Sequence, residues 1–305
     1  MSTPLSETES PAFDLDDFLS FARLAVDQEL DRRVPGEEVM PGTLHRAMRH
    51  SLFAGGKRLR PVLCMAAAEA CGGDTEAALP AAVAVECIHT FSLIHDDLPC
   101  MDDDDFRRGV PTCHKIFGDA VAVLAGDALQ ALAFEIVASM PGNLRYSAAD
   151  MVRELAQASG SLHLIGGQVL DLEGEGRDLK PDELQAIHER KTAALLASSV
   201  RLGAMSVAAE ESQMADLTRF GRSVGLAFQV IDDILDMTQS SETLGKSAGK
   251  DQAVGKATYP LVYGLEKSRE IAHELTDDAR QALKAFGDSG RVLRAIGDYL
   301  LEREY

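Results

Sequence analysis

Two clusters of aspartates, each at the end of an apolar stretch that favours helix, constrain this chain more than any other feature. The first is Asp96-Asp97-Leu98-Pro99-Cys100-Met101-Asp102, followed by Asp103, Asp104 and Asp105; the second is Asp232-Asp233-Ile234-Leu235-Asp236. Carboxylates crowded beside a buried helix face are costly unless cations neutralise them. Oxygen-only ligands favour a hard divalent ion, and Mg²⁺ is usually held by one or two carboxylates together with substrate phosphates. The two clusters therefore predict a cavity that holds a polyphosphate through metal ions.

The charge balance limits the partners that this chain can take. Its 305 residues include 49 acidic and 30 basic side chains, which gives a formal net charge of −19. This balance argues against nucleic acid or an anionic membrane surface as the main partner. An anionic substrate would need local lysines, arginines or metal ions to reverse the sign of the field at its site.

Cysteine usage and the ends of the chain indicate a cytoplasmic protein. Five cysteines occur without a Cys-x-x-Cys or Cys/His zinc spacing, which favours free thiols in a reducing compartment. The first residues lack a basic region followed by an apolar core, so we expect no signal peptide. No apolar run approaches the ~20 residues of a membrane span. We therefore expect a cytoplasmic chain with no membrane span and with flexible residues 1–12.

Helical patterns dominate, because alanine and leucine are abundant and β-branched alternation is scarce. No linker or short repeat interrupts them, so we expect residues 13–305 to form one all-α domain, a single large helical bundle around a deep central cavity. A Ser-, Gly- and Lys-rich loop is expected over 240–256. The expected helices are 13–33, one from 43, one ending at 71, then 75–98, 119–139, 147–172, 181–208, 213–237, 259–267, 277–286 and one from 291.

The two clusters differ in helical spacing. In the second, Asp232 and Asp236 share a face, as do Gln229 and Asp233. In the first, six residues separate Asp96 from Asp102, a rotation of about 240° on an ideal helix. A break at Pro99 is therefore needed before both carboxylates can reach one ion. Upstream, His89 and Ser92 lie on the same stripe as Asp96.

Basic groups accompany both clusters. Lys57 and Arg60 flank a Gly-Gly turn, where backbone N–H groups can approach an anion. Arginine can hold phosphate through two parallel hydrogen bonds. Taken singly, each basic residue is more often a solvated surface charge, and Asp103 to Asp105 can equally be a solvated helix end. The absence of a G-x-x-x-x-G-K-[ST] motif argues against a P-loop nucleotide site. The other candidates are Arg107, Arg108, Lys191 with Thr192, Lys246, Lys250 and Lys256.

Several motifs together identify a family. From Leu44 onward, the chain resembles the trans-isoprenyl diphosphate synthases, and most closely the bacterial farnesyl diphosphate synthases. The motifs are Gly55-Gly56-Lys57-Arg58-Leu59-Arg60-Pro61, His95-Asp96-Asp97-Leu98-Pro99 through Arg107-Arg108-Gly109, Gly166-Gly167-Gln168, Lys191-Thr192, Gln229-Val230-Ile231-Asp232-Asp233-Ile234-Leu235-Asp236 and Gly255-Lys256-Ala257-Thr258-Tyr259-Pro260.

The resemblance implies a reaction and a division of residues. Dimethylallyl and then geranyl diphosphate would condense with isopentenyl diphosphate to give farnesyl diphosphate, in an enzyme that the family suggests is a homodimer. The resemblance implies three Mg²⁺ ions in the active site, with Mn²⁺ as the alternative ion. Asp96, Asp102, Asp232, Arg107 and Lys191 are the expected catalytic residues. Asp97, Asp233 and Asp236 would join Asp96, Asp102 and Asp232 as metal ligands; Arg107, Lys191, Thr192, Gln229, Lys246 and Lys256 would hold the allylic diphosphate; Gly56, Lys57, Arg60, His89 and Arg108 would hold isopentenyl diphosphate.

Product length is expected to depend on the helix before Asp96. In the related enzymes, bulk five positions before the first aspartate closes the tunnel, and here that residue is Phe91. Ser92 lies about 6 Å, one turn, below Asp96 and leaves room beside the ring. The resemblance therefore predicts a fifteen-carbon product, although Phe91 can also be read as an ordinary core aromatic.

Other functions remain open from the sequence. A geranylgeranyl or geranyl synthase keeps the same chemistry. A terpene cyclase would not need the second diphosphate site that Lys57, Arg60 and Arg108 suggest. A non-catalytic homologue would usually lose aspartates, and an acidic metal-buffering or scaffold protein would carry its carboxylates on exposed faces.

Overall fold

The computed structural model describes residues 14–238 and 257–301, and these residues form an all-α bundle. Within those ranges the strands are two antiparallel segments of two residues each, with Phe106 opposite Pro111 and Arg107 opposite Val110. The elements in chain order are α1 Leu15–Arg33, α2 Gly42–Leu52, α3 Leu59–Ala70, α4 Thr75–Asp96, β1 Phe106–Arg107, β2 Val110–Pro111, α5 Cys113–Phe117, α6 Asp119–Ala138, α7 Ala148–Ser159, α8 Leu164–Gly174, α9 Pro181–His188, a π-helical turn Glu189–Ala193, α10 Ala194–Ser206, α11 Glu211–Thr238, α12 Tyr259–Tyr263, α13 Leu265–Ala282, a 3₁₀ segment Lys284–Gly290 and α14 Arg291–Leu301.

Helix α10 lies at the centre and packs against α3, α4, α7 and α11. Small residues allow this close packing. A Cβ added to Gly203 would lie 1.9 Å from the carbonyl oxygen of Cys64 in α3, and one added to Gly221 would lie 2.6 Å from the Cα of Ala197. The glycines therefore let three helix backbones approach closely, which holds α3, α10 and α11 in a fixed relation around the candidate site.

Local capping sets the start of the helix that carries the first aspartates. The Asp74 carboxylate accepts a hydrogen bond from the Glu76 backbone N–H at 2.9 Å and begins α4. From Ala81 to Ile88 every side chain of α4 is buried. A helix that is apolar on all sides belongs in a core rather than on a surface. The first acidic cluster therefore begins at the C-terminal end of a helix that is buried in the core.

The fold class is confirmed, and the element boundaries depart from expectation in specific places. The helix expected over 147–172 is broken into α7 and α8, and Gly160 ends α7 in extended backbone. The helix expected over 181–208 contains the π turn Glu189–Ala193. The helix expected over 259–267 ends at Tyr263, because Gly264 has a φ of +81°. The short β1–β2 hairpin and α5 were not expected, and the expected loop over 240–256 lies outside the described residues.

Two described helices, α4 and α6, are long and apolar enough to span a membrane by length and composition. Most of the apolar segment of α4 is buried in the core, whereas less than half of that of α6 is. The outer face of α6 exposes Val123 and Leu124. The expectation that no segment spans a membrane therefore stays a prediction.

Candidate active site

The first aspartate cluster is folded back on the end of its own helix. Helix α4 ends at Asp96, and the backbone N–H of Asp102 then donates to the Asp96 carbonyl at 2.8 Å. The N–H of Asp104 donates to the Asp97 carbonyl at 3.2 Å. The chain therefore reverses around Pro99, as the spacing required. This reversal brings Asp102 beside Asp96, although no straight helix could place the two together.

Two carboxylates of this cluster stand in different environments. Asp97 is buried, and Nη2 and Nε of Arg107 lie 2.6 and 2.7 Å from its Oδ1. Arg107 belongs to β1, so the unexpected hairpin serves to return an arginine to the cluster. Desolvation, opposed by the charge of Lys191, raises the pKa of Asp96 to about 6. A carboxylate with a raised pKa is one whose negative charge is poorly compensated, and a bound cation would compensate it.

The second cluster lies in the last turns of α11, on an unbroken helix. Asp233 is buried and accepts hydrogen bonds from Gln229 Nε2 at 3.0 Å and from the Tyr259 backbone N–H at 2.9 Å. Asp236 is also buried, whereas Asp232 is partly exposed. Asp233 therefore ties α12 to α11, a structural contact that the sequence did not suggest.

A π-helical turn connects the two clusters. Within it, Lys191 Nζ lies 2.5 Å from an Asp171 carboxylate oxygen, and the Thr192 hydroxyl lies 3.4 Å from Gln229 Oε1. Lys191 also acts electrostatically on Asp96, and Gln229 donates to Asp233, so the turn reaches the first cluster by charge and the second through Gln229. A π turn adds a residue to the helical ladder and changes which side chains face a neighbour. The two clusters, far apart in sequence, are thereby brought to one end of the bundle.

The glycine motif on α8 permits this arrangement. A Cβ on Gly167 would lie 2.4 Å from the Lys191 backbone nitrogen, so only glycine lets α8 approach the π turn this closely. The neighbouring Gln168 has a buried side-chain amide whose nitrogen and oxygen have no hydrogen-bond partner among the described residues. A buried amide of this kind is costly unless something else satisfies it. Gln168 and Asp171 therefore belong to the candidate site, and the Gly166-Gly167-Gln168 motif was the signal that could have assigned them.

A second group of cations surrounds the Gly-Gly turn. Arg108 Nη1 donates to the Gly55 carbonyl, and a Cβ on Gly56 would lie 2.6 Å from the Arg108 guanidinium. Desolvation lowers the pKa of Arg60 to about 10, and its Nε has no hydrogen-bond partner among the residues that are described. Desolvation and the charges of Arg60 and Arg108 hold the pKa of His89 well below its usual value. The predicted residues Gly56, Arg60, His89 and Arg108 thus converge.

A buried ion pair orients this second group. Arg58 has left-handed backbone with φ +51°, and its guanidinium reaches Glu86 Oε1 at 2.8 Å and Asp27 Oδ1 at 2.9 Å. Arg58 and Glu86 are both buried. The pair anchors the turn between α2 and α3 to the core helix α4. Lys57, exposed beside it, lies 5.2 Å above the ring of Tyr299 in α14. No role for Arg58, Glu86 or Tyr299 was expected from the sequence.

The residues expected to set chain length lie on two different stripes of α4. Ser92 is four residues before Asp96 and shares its face, whereas Phe91 is five before and points about 140° away by the helical repeat. The Phe91 ring packs edge-on against His95 at 5.7 Å, and His95 Nε2 lies 3.0 Å from the Val123 carbonyl of α6. The Phe91 side chain therefore faces the contact with α6 rather than the space directly below Asp96.

Metal binding has a suitable donor set here but no complete protein cage. Across 14–238 and 257–301, no group of three or more His, Cys, Asp or Glu side chains converges as a metal site on its own. Mg²⁺ usually keeps several waters and takes its remaining oxygens from one or two carboxylates and from substrate phosphates. The oxygen-only donors and the raised pKa of Asp96 fit such an ion. The predicted Lys246, Lys250 and Lys256 lie outside the described residues.

Known proteins are similar to this chain over most of its length. The polyprenyl synthetase family matches residues 41–295. The chain is 50% identical to the heterodimeric geranylgeranyl pyrophosphate synthase large subunit 1 of Arabidopsis thaliana, over 98% of this chain and 82% of that protein. It is also 50% identical to the chloroplastic geranylgeranyl pyrophosphate synthase of Capsicum annuum, over 98% and 81%.

Solved structures show the same fold. A FPP/GFPP synthase from Zymomonas mobilis superposes with a TM-score of 0.84 at 38% identity, over 94% of this chain and 98% of that one. A geranylgeranyl pyrophosphate synthetase from Pyrococcus horikoshii gives a TM-score of 0.87 at 31% identity, over 95% and 99%. With two acidic clusters joined through one lysine-bearing turn, and with matches along nearly the whole chain, the protein belongs to the polyprenyl synthetase family of trans-isoprenyl diphosphate synthases and is a prenyltransferase.

Proposed function

We propose that this prenyltransferase adds isopentenyl diphosphate to allylic diphosphates and that geranylgeranyl diphosphate is its main product. The observation that carries the reaction is the π turn, whose Lys191 acts electrostatically on Asp96 of the first cluster and whose Thr192 contacts Gln229, the residue that donates to Asp233 of the second. The product length is supported by the geranylgeranyl synthases among the relatives, which are 50% identical to this chain. This differs from the farnesyl product expected from the sequence.

The residues of the two acidic clusters and of the π turn would hold the allylic diphosphate. Asp96, Asp102 and Asp232 would share Mg²⁺ with it, and Asp97, Asp233 and Asp236 would assist. The family's general use of Mg²⁺ supports this choice of ion, and we propose three ions. When bound, Mg²⁺ would neutralise the negative charge that grows on the leaving diphosphate. Lys191 and Arg107 would add fixed positive charge at the same place, where preorganised groups are most effective.

The second cationic group would hold isopentenyl diphosphate. Arg60, Arg108 and Lys57 supply charge around a turn whose glycines leave backbone exposed to an anion. The neutral His89 between the arginines can accept or donate a hydrogen bond without adding repulsion. The double bond of isopentenyl diphosphate would attack the allylic cation to form the new carbon–carbon bond, and loss of a proton would restore a double bond. The enclosed helical walls would keep water from the cation.

Space beneath Asp96 supports the longer product. Ser92 is the side chain one turn below Asp96, and it is small; its hydroxyl donates to its own helix at the His89 carbonyl, 2.9 Å away. Phe91 was expected from the sequence to close the product tunnel. Its ring packs against His95, which contacts the Val123 carbonyl of α6. A tail descending from Asp96 would therefore pass Ser92 rather than meet the Phe91 ring directly.

Product analysis tests the proposal. The full chain is incubated with labelled isopentenyl diphosphate and Mg²⁺ and with dimethylallyl, geranyl or farnesyl diphosphate in turn. We expect all three primers to be extended and twenty-carbon product to accumulate. If farnesyl diphosphate accumulates and is not itself extended, the product assignment is wrong while the prenyltransferase reaction stands.

A farnesyl synthase is the second candidate. It is favoured by the aromatic Phe91 five residues before Asp96, and by the likeness to the FPP/GFPP synthase of Zymomonas mobilis. The same experiment separates the two candidates, because only the geranylgeranyl synthase uses farnesyl diphosphate as a primer.

We also propose that the enzyme is a cytoplasmic homodimer. Exposed apolar side chains on α6 and α8, including Val123, Leu124, Ile165 and Val169, support a protein–protein contact. Light scattering after size exclusion should give twice the mass of the 32.8 kDa chain. Leu124→Asp should yield monomer, whereas Leu144→Asp, on the loop between α6 and α7, should not.

A further inference from the structure

A cavity of about 560 Å³ lies on the outer side of α10, between α7, the start of α8 and α11. We call it the outer groove, and it is defined by Ala194 and Ala197 of α10, Arg222 and Leu226 of α11, His163 before α8 and Arg190 of the π turn. Lys191, Thr192, Gln168 and the aspartates of the two clusters are not among its lining residues. Its lining is therefore distinct from that of the diphosphate site, although Arg190 and Lys191 belong to the same π turn.

The floor of the outer groove is apolar and its rim is cationic. Ala194, Ala197 and Leu226 form the floor, and the small side chains of the two alanines leave room for the volume. Arg222 has no hydrogen bond or ion pair with any residue in the described parts of the chain. Arg190 uses Nη1 for the Ala186 carbonyl of its own helix, at 3.1 Å. These two guanidiniums leave donors that can serve an anion.

The acidic residues of the groove do not cancel this charge. Glu154 is paired with Arg201 Nε at 2.9 Å, and Arg201 also donates to the Thr218 hydroxyl at 2.7 Å. Glu189 accepts a hydrogen bond from Gln185 at 2.9 Å. Glu189 is therefore the one lining carboxylate without an arginine partner among the described residues. Arg190 and Arg222 have no carboxylate partner there. Desolvation lowers the pKa of His163, and the positive charges of Arg190 and Arg222 lower it further.

A buried hydroxyl gives an independent sign of a ligand. Ser198 lines the groove, is 1% exposed, and its Oγ has no hydrogen-bond partner among the described residues. Serines in these helices normally donate to the carbonyl four residues before, as the neighbouring Ser199 does to Leu195 at 2.7 Å. An unsatisfied buried hydroxyl is costly, so a polar group in the groove would be stabilised there.

We propose that the outer groove binds a single-chain amphiphile with an anionic head group. The alkyl chain would cover the Ala194, Ala197 and Leu226 floor, and the head group would pair with Arg190 and Arg222. The volume lies within the range of small-molecule sites, which combine apolar walls with a few convergent polar groups. Neither a free phosphate nor an uncharged alcohol would use both halves of the groove.

Calorimetric titration of the full chain with decyl phosphate, in EDTA, tests this proposal. We expect a binding event at the outer groove that is weakened about tenfold or more in Arg222→Gln, because hydrogen bonds to charged groups carry this much free energy. Ala194→Phe, which fills the floor, should abolish this event, whereas any binding of decyl phosphate at the diphosphate site should persist in both variants. Arg153→Gln removes a charge on α7 outside the groove and should leave the affinity unchanged, and circular dichroism checks that each variant is folded.

Two further titrations separate the contributions of head group and chain. Inorganic phosphate and decanol should each bind at least about tenfold more weakly than decyl phosphate, since each lacks one half of the interaction. Equal affinity for either would overturn the amphiphile assignment. An affinity for decyl phosphate that is unchanged in Arg222→Gln and in folded Ala194→Phe would move the binding elsewhere and refute the site. None of these readouts depends on turnover, so the result is independent of the proposed function.

Discussion

The two aspartate clusters have similar sequences, and both crowd negative charges together. The backbone that holds these charges differs between the two clusters. The first stands where α4 stops, and a chain reversal brings Asp102 beside Asp96 through the 2.8 Å backbone hydrogen bond. The second lies on the continuous α11, and its central Asp233 accepts hydrogen bonds from Gln229 and Tyr259. A D-D-x-x-D pattern therefore marks where carboxylates gather, but the backbone and its neighbours decide which contacts each carboxylate makes.

Loss of either leading aspartate should have the largest effect. Asp96→Ala and Asp232→Ala should each lower kcat by roughly 10²–10³-fold or more, since each removes a preorganised group at the departing diphosphate. Steady-state assays with geranyl and isopentenyl diphosphate measure this, with circular dichroism as the check on folding. Near-normal turnover of folded Asp232→Ala would break the symmetry between the clusters and refute the metal-clamp interpretation.

Asp233→Ala should instead act on stability. It leaves the buried Tyr259 N–H without its acceptor, so we expect a loss of about 1–3 kcal/mol in the free energy of unfolding. Asp233→Asn, which keeps a side-chain oxygen that can accept from this N–H, is the matched control and should lose less stability in urea denaturation. Equal destabilisation by both substitutions would contradict a role for this hydrogen bond in stability.

Bulk on the Asp96 stripe should shorten the product. Ser92→Phe places a ring one turn below Asp96, where we propose that the tail passes, so products of fifteen carbons or fewer should replace the twenty-carbon product. Phe91→Ala removes a ring that faces α6 and should leave product length the same or longer. Thin-layer chromatography of the dephosphorylated products measures both variants, and shortening by Phe91→Ala would reverse this assignment.

Affinity for Mg²⁺ should fall as the pH is lowered through the pKa of Asp96, which is about 6. A raised carboxyl pKa means that the proton is held up to higher pH, so below this value a metal ion must displace it. At pH 5, one unit lower, about one carboxyl in ten is ionised, which predicts an affinity about tenfold weaker than its plateau. Titration of Mg²⁺ in the presence of a non-reactive diphosphate measures the effect, and Asp96→Asn should lose this pH dependence.

The sequence was informative where the physical cause was local. Helix starts at Asp74 and Pro181 follow from capping and proline, and those are properties of a few adjacent residues. The break between Asp96 and Asp102 could be predicted because six residues cannot return to one helix face. The ligand chemistry followed from residue type, since only carboxylates and basic side chains suit a metal–diphosphate complex.

Tertiary structure alone decided how those residues are used. The π turn at Glu189–Ala193 and the packing of Gly167 on Lys191 determine that one turn reaches both clusters. The pairing of Arg58 with Glu86 and the contact of Asp233 with Tyr259 join residues that are distant in sequence. Helical periodicity is a local property of the chain, whereas these contacts depend on how whole helices pack. The amino-acid sequence therefore determined the fold class and the chemistry, and the packing of α8, α10 and α11 decided which carboxylates, which cations and which groove are available to a ligand.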